Sequence, residues 1–230
     1  MNHQNNIYRI KTVYDSLNDL KDDVVFVGGA TVSFYADQQA FEIRETDDVD
    51  VIVEVLNFRA HTDFEERLRM IGFVNDVMSK VRCRYKIKGI TVDIMPTKNI
   101  AIGFENRWYP DGFKHAMDFQ LDETTTIKVL TPAHFIATKL EAFKSRGASD
   151  PRQSQDFEDI VYILENRKSI WKEMRMANQT LRDYLKVEFN ALSANPNIYE
   201  WIDCHVEFVS PPSTDWILEE IRDFVSKDQG

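Results

Sequence analysis

VVFVGGATVSFYADQQAFEIRETDDVDVIVEV, residues 24–55, decides the fold. The apolar run Val24, Val25, Phe26, Val27 leads straight into Gly28 and Gly29, which reads as a buried strand ended by a tight turn into a short helix. Backbone without side chains lets a ligand approach closely, and amides at the positive end of a following helix suit phosphate. The same pair of glycines also reads as a plain strand-to-helix connection. In the next strand, over 49–55, Val49, Val51, Val53 and Val55 point one way. The two-residue period therefore sets Asp48 and Asp50 together on the other face. Neighbouring ionised carboxylates repel, and Ile52 on their face makes the surroundings partly desolvated, so a divalent cation is one way to hold them. A solvated acidic strand end is the other reading, since Asp47, Asp48, Asp50 and Glu54 form a loose acidic run.

A third carboxylate follows in ITVDIMP, residues 90–96, where Ile90, Val92 and Ile94 form the apolar face and Thr91 and Asp93 the opposite one. Three aspartates on neighbouring strands beside a glycine turn suit metal-dependent phosphoryl or nucleotidyl transfer. Carboxylates hold one or two Mg²⁺, the metals bridge nucleotide phosphates, and one Asp accepts the proton of the attacking hydroxyl. Just before, every second residue from Lys80 to Lys88 is basic, so Lys80, Arg82, Arg84, Lys86 and Lys88 share one face of a strand over 81–87. If Lys88-Gly89 is a two-residue hairpin turn, Arg84 lies opposite Asp93 and Lys86 opposite Thr91. The row then reads either as a track for triphosphate or RNA phosphates, or as a solvated face with Arg84 paired to Asp93.

Outward from these strands the chain divides. Residues 1–130 alternate helices and strands: a helix carrying Ile7, Ile10, Val13, Tyr14 and Leu17, the strands above, a helix over about 58–70, and an irregular stretch over 101–126. Residues 131–230 read as helical, over 132–146, 155–166, about 171–192 and 214–227. Thr131-Pro132, Ser154 and Pro211-Pro212-Ser213 mark helix starts. In the first of these helices Lys139 falls inside the apolar stripe of Pro132, Phe135, Ile136, Leu140 and Phe143. A buried ammonium needs a partner, so Lys139 pairs with a carboxylate, in the plain reading across the domain junction, or snorkels to an edge, or faces a cleft that holds an anion. On the following helix Asp156 and Asp159 share a side; they either pair with Lys139 or Arg146 or position an acceptor.

Composition bounds the class. The 230 residues are 43% hydrophobic and 29% charged, with 8 Gly and 7 Pro, as in an ordinary globule. A net charge of −10 argues against a surface built for non-specific nucleic-acid contacts, although a local basic patch remains compatible with it. Cys83 and Cys204 read as free thiols, and no stretch has the apolar length of a membrane span or the pattern of a signal peptide, so a cytoplasmic location is expected.

Taken together, Gly28-Gly29, Arg44, Thr46, Asp48-Val49-Asp50 and Asp93 resemble the nucleotidyltransferase superfamily that includes polymerase beta-type and antibiotic-modifying enzymes. TPAHFIATKLEAFKSRG (131–147) followed by SQDFEDIVYIL (154–164) resembles the AbiEii/AbiGii toxin family, with its lysine-bearing helix and later Asp-x-x-Asp helix. The resemblance implies an α+β nucleotidyltransferase core with a mixed sheet and flanking helices, followed by a helical C-terminal domain, with the active site in the cleft between them. It also implies Mg²⁺ or Mn²⁺ held by Asp48, Asp50 and Asp93, with Asp93 as ligand or base. An NTP would be the donor, its phosphates cradled by Gly28, Gly29 and Thr31 with Thr46 nearby and neutralised by Lys139 and Arg146. Ala30 stands where many members carry Ser, which leaves Thr31 as the nearest hydroxyl. The expected reaction moves an NMP from the NTP to a hydroxyl of tRNA or another macromolecule, as the toxin of a toxin–antitoxin pair. The rival expectations are a small-molecule, antibiotic-type acceptor and a non-catalytic nucleotide-binding protein of the same fold.

Overall fold

The computed structural model describes residues 2–37, 45–55, 58–98, 106–147, 150–206 and 213–226. The chain forms two compact units: Met1–Phe34 with Phe41–Thr131, and Tyr35–Ala40 with Pro132–Gly230.

The first unit begins with α1 (Asn2–Ser16). Its residues Ile10 and Val13, together with Leu17 just beyond it, recur at helical spacing and are all fully buried. A 3₁₀ turn leads into β1 (Val24–Val27), and a second one (Gly29–Tyr35) follows it. Then come β2 (Asp48–Val53), α2 (Phe58–Met70), β3 (Val74–Asn75), β4 (Arg84–Ile87), β5 (Ile90–Pro96), α3 (Tyr109–Lys114), β6 (Met117–Gln120) and β7 (Thr126–Val129). The strands form a mixed sheet in the order β3-β4-β5-β2-β1-β7-β6. β2 runs parallel to β5 and β1 parallel to β7, while the remaining neighbours are antiparallel. Val49, Val51, Val92, Phe26 and the apolar side of α1 make one core on one face of this sheet.

The opposite face changes character along β2. Its Asp48 end is half-exposed, whereas Ile52 is fully buried and Met95 nearly so. Helix α3 packs against β2, and the Tyr109 hydroxyl reaches the Met95 sulfur at 4.0 Å. The stretch expected to be irregular thus contains α3, β6 and the start of β7, and α3 caps the apolar half of the face that carries the carboxylates.

The β4–β5 hairpin turns at Lys88 and Gly89, with φ of 49° and 81°. Positive φ at both central residues is the geometry whose twist matches paired strands. Arg84 therefore faces Asp93 and Lys86 faces Thr91, as the two-residue turn requires. The expected strand over 81–87 is cut short: it starts at Arg84, because Val81, Arg82 and Cys83 turn instead of extending.

The second unit is helical. It contains α4 (Pro132–Ala142), continued by a π-helical turn over Phe143–Gly147, then α5 (Gln155–Asn166), α6 (Ile170–Met176), α7 (Gln179–Ser193), α8 (Ile198–Asp203) and α9 (Ser213–Ser226). The Ser154 hydroxyl caps α5 by accepting from the Phe157 amide at 3.3 Å. One helix was expected over 171–192. Two are present because the Asn178 side chain accepts from the Leu181 amide at 2.9 Å and so begins a new helix there. α8 was not anticipated, and Pro211 and Pro212, read as a helix start, lie outside the described residues. Trp171, Phe189 and Phe224 pack with ring centroids 5.9–6.2 Å apart at the heart of this unit. Among the described residues no helix is long and apolar enough to cross a membrane.

Candidate active site

Register brings the three aspartates together. In the parallel pair β2–β5, Asp50 stands beside Asp93 and Asp48 beside Thr91. In the antiparallel pair β1–β2, Asp50 stands beside Val27, which delivers the Asp50 carboxylate to the following residue, Gly28. A Cβ on Gly28 would lie 1.9 Å from Asp50 Oδ2, and Gly28 has φ of +74°. Glycine is needed here on both counts: the left-handed backbone and the carboxylate resting against its Cα. The close approach anticipated for a ligand at this turn is already made by the protein's own aspartate.

From the other side β4 supplies Arg84. Its Nε and Nη2 donate to the two oxygens of Asp93, both at 2.8 Å, and Nη2 also donates to Asp48 Oδ2 at 2.7 Å. One guanidinium thus joins the outer two carboxylates of the trio. The Asp93 pairing is the fork-to-carboxylate geometry that only arginine provides.

The shared guanidinium does not fully offset the charge around Asp48. Burial and then the neighbouring Asp93 charge push the Asp48 carboxyl above its ordinary value, against the pull of Arg84. Arg84 itself is held protonated well above its usual range, first by its bond to Asp93. The Cys83 thiol is pushed up to about 12, by burial first and then by Asp93, so it stays neutral beside the acids. Lys86, expected in the same basic row, is instead bound to Asp76 at 2.9 Å. With β4 starting at Arg84, the five-residue basic face is broken into an acid-bound arginine, a lysine paired elsewhere, and exposed Lys80, Arg82 and Lys88. Carboxylate oxygens on one face are the donors a hard divalent cation such as Mg²⁺ or Mn²⁺ takes, although among the described residues the group whose ligand atoms already lie within 4.8 Å of one another is Asp111, His115 and His134.

The hydroxyls assigned to phosphate binding turn inward. Thr31 is fully buried and its Oγ1 donates to the Gly28 carbonyl at 2.9 Å, so it braces the glycine turn. Thr46 is buried; its amide and hydroxyl both reach Asn6 Oδ1 at 3.3 Å, and its carbonyl accepts from Arg9. Both threonines stiffen the loops that carry Gly28 and Asp48. Gly29 is buried at the head of its 3₁₀ turn, and Arg44 lies outside the described residues.

Lys139, Arg146, Asp156 and Asp159 form a separate cluster in the second unit. The Lys139 ammonium sits 3.1 Å from Asp156 and 2.6 Å from Asp159, and the Arg146 guanidinium grips Asp156 at 2.8 and 3.0 Å. Of the readings of Lys139, the carboxylate pair is present, within this unit between α4 and α5 rather than across a domain junction. Burial favours a neutral Lys139, but the Asp159 and Asp156 charges outweigh it and raise its pKa. Lys139 is only 7% exposed, and both of these partners lie in the helical unit.

Two contributors had no sequence signal. The second bond of Arg84, to Asp48, crosses from β4 over β5 to β2 and depends on sheet order. Asn6 and Arg9 hold Thr46 across about forty residues of chain, with nothing local to announce it.

Comparison with known proteins bears on the fold and the family. Among solved structures the chain is similar to the antibiotic-resistance factor ANT(2'')-Ia, with 13% identity and a TM-score of 0.51 over 84% of this chain and 96% of that one. An antigenic nucleotidyltransferase-like protein from Paracoccidioides brasiliensis aligns at 16% identity and a TM-score of 0.47, over 86% of this chain and 93% of that one. No curated protein matches the sequence. Residues 12–220 match the family described as nucleotidyl transferase AbiEii toxin of a Type IV toxin–antitoxin system, and the chain therefore belongs to the AbiEii nucleotidyltransferase toxin family.

Proposed function

We propose that the first unit transfers a nucleoside monophosphate from an NTP to a hydroxyl acceptor, with Asp48, Asp50 and Asp93 holding Mg²⁺ or Mn²⁺. The observation that carries this reading is the juxtaposition of Asp50 with Asp93 in register and with Gly28 in contact. The acceptor oxygen bonds to the α-phosphorus, the α–β bridging bond breaks, pyrophosphate leaves, and the hydroxyl proton passes to a carboxylate of the trio. A bound divalent ion neutralises phosphate charge as it develops. Of the glycine pair, half-exposed Gly28 offers backbone to the triphosphate beside Asp50 while Gly29 is buried; Thr31 acts by holding that turn and Thr46 by holding the loop that carries Asp48. Lys139, Arg146, Asp156 and Asp159 act as the brace of the helical unit that carries them.

For the acceptor we favour an RNA such as tRNA, on the strength of the exposed Lys80, Arg82 and Lys88 around the β4–β5 hairpin. The family description supports a cognate antitoxin as partner. Label from α-labelled NTPs should enter total RNA with wild-type protein. With Asp50→Ala it should fall by more than about a hundredfold while circular dichroism is unchanged. Label appearing only on small alcohols would redirect the acceptor assignment. Full transfer by Asp50→Ala would refute the site, and NTP-dependent stabilisation without any transfer would favour a binding protein.

A further inference from the structure

We propose that Arg84 makes divalent-metal binding dependent on nucleotide: it occupies the metal-binding carboxylates until the triphosphate offers it another anion. This rests on the reading of Asp48, Asp50 and Asp93 as metal ligands, and it adds a coupling residue to that site.

The geometry carries it in three steps. Both oxygens of Asp93 accept from Arg84, and a third bond ties the same guanidinium to Asp48. Those bonds lie at 2.7–2.8 Å, the short range of charge-assisted pairs. A hard divalent cation takes carboxylate oxygens at about 2.0–2.6 Å. Guanidinium and metal therefore compete as two cations for the same carboxylates, most directly at Asp93, where both oxygens already lie against the arginine and keep only their second lone pairs for a metal. Finally, Arg84 is only partly covered, with a quarter of its side chain exposed, and it sits on an edge-proximal strand next to the hairpin. It can withdraw without disturbing the core formed by Tyr85 and Ile87 on the opposite face of β4.

An arginine leaving two carboxylates needs a new anion, because an unpaired half-buried charge is costly. The metal alone does not supply one. A triphosphate does, and its planar phosphate edges suit the guanidinium fork. The exchange predicts positive linkage between metal and nucleotide, and linkage of this kind is reciprocal. It also keeps Asp48 and Asp93 paired between turnovers.

The test uses the full chain, Mn²⁺, and an equimolar mixture of the four α,β-methylene NTPs. Water-proton relaxation enhancement separates protein-bound Mn²⁺ from Mn²⁺ held by nucleotide alone. Wild type should bind Mn²⁺ weakly without nucleotide and about tenfold more tightly with it. Arg84→Gln should bind Mn²⁺ about tenfold more tightly than wild type without nucleotide, and gain less than about twofold on adding it. Arg84→Lys keeps the charge but lacks the fork, so its coupling should fall between the two; it also carries the test if Arg84→Gln does not fold. Removing a nearby positive charge merely by electrostatics would tighten Mn²⁺ by the same factor with and without nucleotide. That result, or an unchanged affinity in Arg84→Gln, overturns the inference and leaves the metal site standing. No Mn²⁺ bound by wild type under either condition overturns the metal reading and this inference together.

Discussion

Two clusters of opposite charge, one in each unit, use the same ingredients to different ends. On the sheet, Arg84 is shared between Asp48 and Asp93, with Asp50 beside Asp93; in the helical unit, Asp156 is held by both Lys139 and Arg146, and Asp159 by Lys139. At Asp156 two cations hold one acid, whereas at Asp48 one cation is shared with a second acid. The difference appears in the carboxyls themselves. Burial pushes both upward, but at Asp156 the Arg146 bond and the Lys139 charge outweigh it and the pKa falls, whereas at Asp48 a second acid adds to burial and the pKa rises. A balanced buried cluster locks structure. A partly exposed cluster in which two acids share one cation is a place where a cation can be exchanged.

The comparison can be broken first at Lys139. Lys139→Met leaves Asp159 buried beside an apolar side chain, and stability should drop by about 3–5 kcal/mol, read from urea denaturation. Adding Asp159→Leu should recover most of the loss, because removing both charges is far cheaper than removing one. A loss below about 1 kcal/mol would mean the cluster is not the brace described above.

A smaller effect sharpens the strand side. Gly28→Ala puts a methyl group on a left-handed backbone and into the Asp50 carboxylate, whose Cβ would be only 2.9 Å away, so a side-chain rotation cannot relieve it. The expected cost is about 1–2 kcal/mol, with transfer activity reduced further than stability because Asp50 is displaced. Wild-type transfer by Gly28→Ala would show that Asp50 need not sit there.

The smallest effect is one of sign. Asp48, with its folded pKa raised, takes up a proton on acidification before the unfolded chain does. It destabilises the fold at neutral pH, and that penalty fades as pH falls through its raised pKa toward 3.8. Asp156, with its folded pKa lowered, contributes stability that is fully present above 3.8 and is lost as pH falls through its folded value. In EDTA, Asp48→Asn should therefore be more stable than wild type near neutrality, with the gap closing on acidification. Asp156→Asn should be less stable, with its gap persisting until below 3.8. Gaps of the same sign for both variants would erase the distinction between the two clusters.

Much of this was legible before the structure. Alternation at Val49, Val51 and Val53 placed Asp48 and Asp50 on one face, and the Lys88-Gly89 turn placed Arg84 opposite Asp93. Strands β6 and β7 do alternate, as Met117-Asp118-Phe119-Gln120 and Thr126-Ile127-Lys128-Val129. Each is only four residues long, too short for a two-residue period to stand out beside the unpatterned loops around it. The inward turn of Thr31 and Thr46 was not legible, because their partners, the Gly28 carbonyl and the distant Asn6, leave no periodic mark.

By itself, then, the sequence determined which residues lie on which side of each strand and helix, because side-chain direction follows from backbone periodicity alone. Those local rules suffice for the acidic face, the lysine within an apolar stripe and the family to which the chain belongs. The tertiary structure decided the order of strands, and with it that β5 lies between β4 and β2, so that one guanidinium spans Asp93 and Asp48. It also decided which cation balances which acid, because a carboxylate's state depends on charges a few ångströms away in space, wherever they stand in the chain.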